Sequence, residues 1–75
     1  MPKLPIVKPQ KLVQILRKLG FTMMRQKGSH AFFIRTKDNI TTVVPIHTKD
    51  VGRGLLRKIL HEINLSVEEF VNLLH

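Results

Sequence analysis

His30 stands directly after a Lys27-Gly28-Ser29 turn signal, with Arg25 and Lys27 just upstream. An unperturbed imidazole titrates near ~6.5, so it can take or give a proton at neutral pH. One histidine among cations is a minimum kit for metal-independent RNA cleavage. A base removes the proton of a 2′-hydroxyl, that oxygen attacks the adjacent phosphorus, and cations stabilise the charge that develops. The same histidine could equally start a strand and satisfy a backbone hydrogen bond, and residue types alone leave both readings open. His47 follows Val43-Val44-Pro45-Ile46 on the loop leaving a candidate third strand. In a meander that loop adjoins the start of the second strand, so His47 could approach His30 and share acid and base roles. Ser29 and Lys27 are further auxiliary candidates, whereas His61 and His75 have no comparable context.

Other chemistries find little support. The chain has no Cys, which removes thiol nucleophiles, disulfides and thiolate metal sites. Asp38, Asp50, Glu62, Glu68 and Glu69 are scattered, and no zinc or calcium spacing appears. Gly28, Gly52 and Gly54 do not make a phosphate-cradling loop of the nucleotide-binding type. No metal and no other cofactor is expected.

The chain carries 13 Lys/Arg against 5 Asp/Glu over 75 residues, a formal charge of +8. The charge is segregated: residues 1–37 hold nine Lys/Arg and no acid, and residues 38–75 hold four Lys/Arg and all five acids. Such a field draws in polyanions. Lys8, Lys11, Lys18, Arg25, Lys27, Lys49, Arg53, Arg57 and Lys58 are the candidate phosphate contacts, taken as an ensemble. Arg53 sits beside the free N–H groups expected at the start of a helix. A hydrophobic share of 43% is that of a folded domain and not of a disordered basic tail. Pro5, Lys8, Pro9 and Lys11 interrupt any signal-peptide core, and no apolar run approaches the ~18–20 residues of a membrane span. A cytoplasmic protein without membrane contact is the expectation.

The elements that must position these residues follow from periodicity. Leu12, Ile15, Leu16 and Leu19 repeat at three and four, which predicts a helix from about Pro9 to Leu19, stopped by Gly20. Three strands follow: Phe21–Gln26, His30–Thr36 and Ile40–Pro45, separated by short turns. Phe32, Phe33 and Ile34 are consecutive apolar residues, so the parity facing the core is open. A second helix is expected from Arg53 or Gly54 to about Ile63, with Leu56, Ile59, Leu60 and Ile63 as its stripe and Gly52 and Gly54 permitting a tight entry. Ser66 and Glu69 form a capping-box signature for a short last helix. The whole is an α+β domain spanning 1–75, with a three-stranded antiparallel sheet, helices packed on one face and a short C-terminal helix.

Leu19-Gly20-Phe21, Arg25-Gln26-Lys27-Gly28-Ser29-His30-Ala31-Phe32-Phe33, Val44-Pro45-Ile46-His47 and Gly54-Leu55-Leu56-Arg57-Lys58-Ile59-Leu60 occur in an order that resembles the HicA toxins of toxin–antitoxin pairs. The resemblance runs from about Pro9 to Phe70; Met1 to Lys8 and the acid-poor first half are departures. It implies a double-stranded-RNA-binding-domain-like α-β-β-β-α fold and an endoribonuclease that cleaves mRNA. It implies that His30 of the Gly-Ser-His element is catalytic and that His47 has a less defined role. It also implies a HicB-like antitoxin that covers the active site, with operator DNA contacted indirectly through that complex. The alternative is a non-catalytic RNA- or DNA-binding module acting within a protein complex.

Overall fold

The structure, a computed structural model, describes residues 3–75; the first two residues of the expected N-terminal extension, Met1 and Pro2, lie outside the described residues. The elements are α1 (Pro9–Lys18), β1 (Thr22–Lys27), β2 (His30–Arg35), β3 (Ile40–Pro45), α2 (Arg53–Glu62) and α3 (Val67–Leu74). The strands form one antiparallel meander in the order β1-β2-β3.

Four of the helix ends have a readable local reason. Pro9 occupies the first turn of α1, where its missing N–H costs no hydrogen bond. Gly20, at φ 93°, follows the end of α1, and the Phe21 amide donates to the Leu16 carbonyl at 2.9 Å while Gly20 N–H donates to Arg17. This Schellman arrangement needs a left-handed residue, which glycine adopts without a Cβ clash. Asn64, at φ 57°, closes α2 in the same way, with Leu65 N–H donating to the Leu60 carbonyl at 2.9 Å. Ser66 caps α3: its hydroxyl accepts from the Glu69 amide, and the Glu69 carboxylate accepts from the Ser66 amide, each at 3.0 Å. Those two bonds hold the Glu69 carboxyl below its ordinary range, the backbone amide of Ser66 being the larger cause.

Parity in β2 resolves around Phe33. Ala31 and Phe33 are buried and pair with Val44 and Thr42 of β3, so this face of the sheet meets the helices. His30, Phe32 and Ile34 have the opposite parity and stand on the open face. One core contains the α1 stripe of Leu12, Ile15 and Leu16, the α2 stripe of Leu56, Ile59, Leu60 and Ile63, and Phe21, Phe33 and Phe70. Leu19, expected in the α1 stripe, is only partly buried because the helix has already ended beneath it.

Two local expectations are corrected, Phe21 in β1 and the glycines before α2, and two further features are seen only in the structure. Phe21 is not a strand residue; it lies buried ahead of β1, which runs on to Lys27 and leaves Gly28-Ser29 as the turn. β1 carries a bulge between Met23 and Arg25, so its alternation is broken, and every residue of this edge strand is exposed. Gly52 sits at φ −65° and a Cβ at Gly52 or Gly54 would meet open space, so neither glycine is required for the entry to α2. The segment before α1 is part of the core: Leu4 and Val7 are buried, and Val51 N–H donates to the Val7 carbonyl at 2.7 Å.

Candidate active site

The hairpin between β1 and β2 sets the position of His30. Gly28 lies at φ 58° and Ser29 does not share that left-handed conformation, an arrangement favoured by two-residue turns with glycine first. The Gln26 side-chain amide donates to the Gly28 carbonyl at 3.1 Å and braces the turn. Lys27 and His30 are thereby cross-strand partners on one face, at the ~4.5–5.5 Å Cβ spacing of directly opposed residues. One rung further along the same face Arg25 pairs with Phe32, its guanidinium 4.7 Å from the ring centroid. His30 in turn pairs with Pro45 of β3, and the Ile46 amide donates to the Ser29 carbonyl at 2.8 Å, extending the ladder past the strand end.

α2 lies along the edge strand β3, and at that edge, where the open face of the sheet meets the helix, lies a cleft of about 440 Å³. His30, Val43 and Pro45 form its sheet wall, Thr48 comes from the following loop, and Leu55, Lys58, Ile59 and Glu62 form its helical wall. The four helical residues recur at three and four, the spacing of one helix face. An imidazole, an ammonium and a carboxylate therefore share one mostly apolar depression on a strongly cationic protein. Among the described residues no three His, Cys, Asp or Glu side chains come together as metal ligands would.

The remaining sequence candidates distribute unevenly. His47 is exposed on the loop after β3, next to the hairpin turn as the meander implied, but it does not line the cleft. Lys49 and Arg57 are exposed on the same loop and on α2. Arg53 is tied back to the N-terminal segment, its Nε donating to the Leu4 carbonyl at 2.7 Å. Lys8, Lys11 and Lys18 are exposed at the start and along the outer side of α1, whose inner stripe packs on the helix-covered face of the sheet. The structure thus places Lys27 and Arg25 on the open sheet face that bears His30 and Lys58 on the helical wall of its cleft, and leaves the α1 lysines on a separate surface. Arg35, which was no candidate, is used structurally: its guanidinium grips Asp38 at 2.9 and 3.0 Å, donates to the Leu19 carbonyl at 3.1 Å and covers the Phe21 ring. The Arg35 hydrogen bond holds the Asp38 carboxyl below its ordinary range.

Glu62 is the charged residue of the cleft that was not among the sequence candidates. Its position one turn after Lys58, on the face that also carries Leu55 and Ile59, was the available signal. As one of five scattered acids in a basic chain it had no motif to mark it.

A family model described as the HicA toxin of bacterial toxin–antitoxin matches residues 9–65. The chain belongs to the HicA family. No curated protein matches it. The match spans α1 through α2, hence every wall of the His30 cleft, and stops before α3. The family's α-β-β-β-α order and antiparallel sheet are those described above, and this HicA chain adds α3 at the end. No helix among its described residues is long and apolar enough to cross a membrane.

Proposed function

We propose that this HicA-family toxin is an endoribonuclease that cuts messenger RNA without a metal ion, with His30 transferring a proton at the scissile phosphodiester. The observation that carries this reading is that His30 and Lys58, from β2 and α2, line one cleft. An ammonium there can neutralise phosphate charge as it grows in the transition state, while an imidazole moves a proton to or from an oxygen at phosphorus. Lys27 across the hairpin and Arg25 beyond it extend the cationic approach, and Phe32 gives an apolar face on which a base can stack. The RNA supplies its own nucleophile, the 2′-hydroxyl. That is why so small a domain suffices for the chemistry.

The family also supports a HicB-like antitoxin as the partner. To silence the proposed site by occlusion, that protein has to cover the mouth of the His30 cleft, and acidic groups opposite Lys27 and Lys58 would complement it. Contact with operator DNA then belongs to the complex, through the antitoxin.

The test is RNA cleavage by purified, antitoxin-free protein in EDTA, comparing the parent with His30→Ala. The expected result is a loss of about 10²–10⁴-fold in rate with the fold intact. Tight, salt-dependent RNA binding with no cleavage by the parent would instead mark a binding module.

A further inference from the structure

We propose that Glu62 is the second proton-transfer group of the His30 cleft: its carboxylate takes the 2′-hydroxyl proton, and His30, as imidazolium, protonates the leaving 5′-oxygen. The proposal rests on the endoribonuclease reading above and assigns the half of the chemistry that His30 cannot perform in the same step.

Three observations carry it. The first is placement. Glu62 is the last residue of α2, and it lines the cleft together with Lys58, one turn earlier, and with His30 on the opposite wall. Neither cation makes an ion pair with it; among the described residues the single ion pair is Arg35–Asp38. The carboxylate and the imidazole therefore stand apart in one cavity, as groups that bracket a phosphodiester must, and are not consumed by each other. In an in-line displacement the base acts on the attacking oxygen and the acid on the departing one, which lie on opposite sides of phosphorus.

The second is orientation. The Thr42 hydroxyl donates to Glu62 Oε1 at 2.8 Å. Thr42 is 3% exposed and is the buried polar residue of an otherwise apolar core. A buried hydroxyl is held by its surroundings, so this bond fixes the carboxylate of an otherwise exposed side chain; among the described residues its other oxygen has no hydrogen-bond partner. The third is charge. Among five acids in a chain of +8, Asp38 is held by Arg35 and Glu69 caps α3, and Glu62 is the acid that lines the cleft. A carboxylate weakens phosphate binding there, a cost that Lys58 offsets and that proton transfer would justify.

The step balances without a co-reactant. Glu62 accepts the 2′-hydroxyl proton as the O2′–P bond forms; the P–O5′ bond breaks as His30 gives its proton to O5′. The products are a 2′,3′-cyclic phosphate and a 5′-hydroxyl, and exchange with water returns Glu62 and His30 to their starting forms.

The experiment measures kcat for the parent, Glu62→Gln and His30→Ala on two substrates. One is an oligoribonucleotide. The other is uridine 3′-(p-nitrophenyl phosphate), whose leaving group needs no protonation. Glu62→Gln retains an acceptor for Thr42, so an unchanged thermal midpoint is expected. Its kcat should fall by about 10²–10⁴-fold on both substrates. His30→Ala should fall as far on the oligonucleotide but by less than about tenfold on the aryl ester. An active Glu62→Gln beside an inactive His30→Ala would overturn the proposal, reduce Glu62 to a partner for Thr42 and leave the endoribonuclease reading standing. A Glu62→Gln protein rescued by the aryl ester would overturn the assignment of base and acid. Full activity of His30→Ala would overturn the underlying reading and this inference with it. Should Glu62→Gln not fold, Glu62→Asp decides. Retracting the carboxylate by one methylene should cost about 10²-fold in kcat, and an unchanged kcat would overturn the proposal.

Discussion

The Ile46 amide donates to the Ser29 carbonyl at 2.8 Å, which locks the exit of β3 against the turn that precedes His30. His47, one residue further on, is held close to that turn by its backbone yet stays exposed and outside the cleft. A division of acid and base roles between the two histidines is therefore not the arrangement favoured by the cleft. His47→Ala should keep RNA cleavage within about tenfold of the parent, well short of the 10²–10⁴-fold loss typical of a deleted acid or base. Parallel rate measurements on His47→Ala and His30→Ala check this.

Lys58 and Lys27 reach the face bearing His30 from different elements, α2 and β1. Each should neutralise one phosphate of a bound strand. Lys58→Ala should weaken RNA binding and reduce the slope of log K against log salt by about 0.7, the value for one single-strand phosphate. Titrations of a non-cleaving His30→Ala background at several salt concentrations give that slope; an unchanged slope removes Lys58 from the binding surface.

Much of this architecture is written locally. The α1 and α2 stripes, the Gly20 stop, the Ser66–Glu69 box and the Gly28-Ser29 turn each depend on neighbours in sequence, and each was legible. The remainder depends on partners far along the chain. Three apolar residues in a row cannot report which of them faces the helices; that is decided by pairing with β3, where Thr42 and Val44 share the face of Phe33 and Ala31. Leu4 and Val7 have no periodicity of their own and are buried through distant partners, Val7 by its bridge to Val51 and Leu4 by the Arg53 bond to its carbonyl. In the site, the Gly-Ser-His element marked His30, but the wall that faces it comes from α2, and nothing near Glu62 in sequence hinted at Thr42.

The N-terminal segment is expected to be energetically part of the domain although the family match begins at Pro9. Leu4 is 1% exposed, so Leu4→Ala should cost about 2–5 kcal/mol in chemical denaturation. A cost below about 0.5 kcal/mol, the range of ordinary surface changes, would place the segment outside the cooperative unit.

β2 parity gives a paired prediction. Phe33→Ala should destabilise by about 3–5 kcal/mol because it empties a buried site in a small core. Phe32→Ala, on the open face under Arg25, should cost clearly less. Equal losses in urea titrations would contradict the assigned faces.

Acidification should loosen the fold from two points. Asp38 and Glu69 both have folded-state pKa values below their ordinary ones, held there by the Arg35 side chain and the Ser66 amide respectively. A carboxyl lowered on folding adds stability that is fully present above its unfolded pKa, near ~4, and is lost as pH falls through the folded value. The thermal midpoint should therefore fall as pH drops below about 5, and Asp38→Asn should flatten part of that dependence. Melting curves across this window, parent against variant, measure it.

The proposed chemistry is tested most directly by the ends it leaves on RNA. A defined oligoribonucleotide, incubated with antitoxin-free protein in EDTA, should yield fragments ending in a 2′,3′-cyclic phosphate and beginning with a 5′-hydroxyl, and His30→Ala should produce almost none. Fragments with a 3′-hydroxyl and a 5′-phosphate, or undiminished cleavage by His30→Ala, would contradict attack by the 2′-hydroxyl with His30 moving the proton.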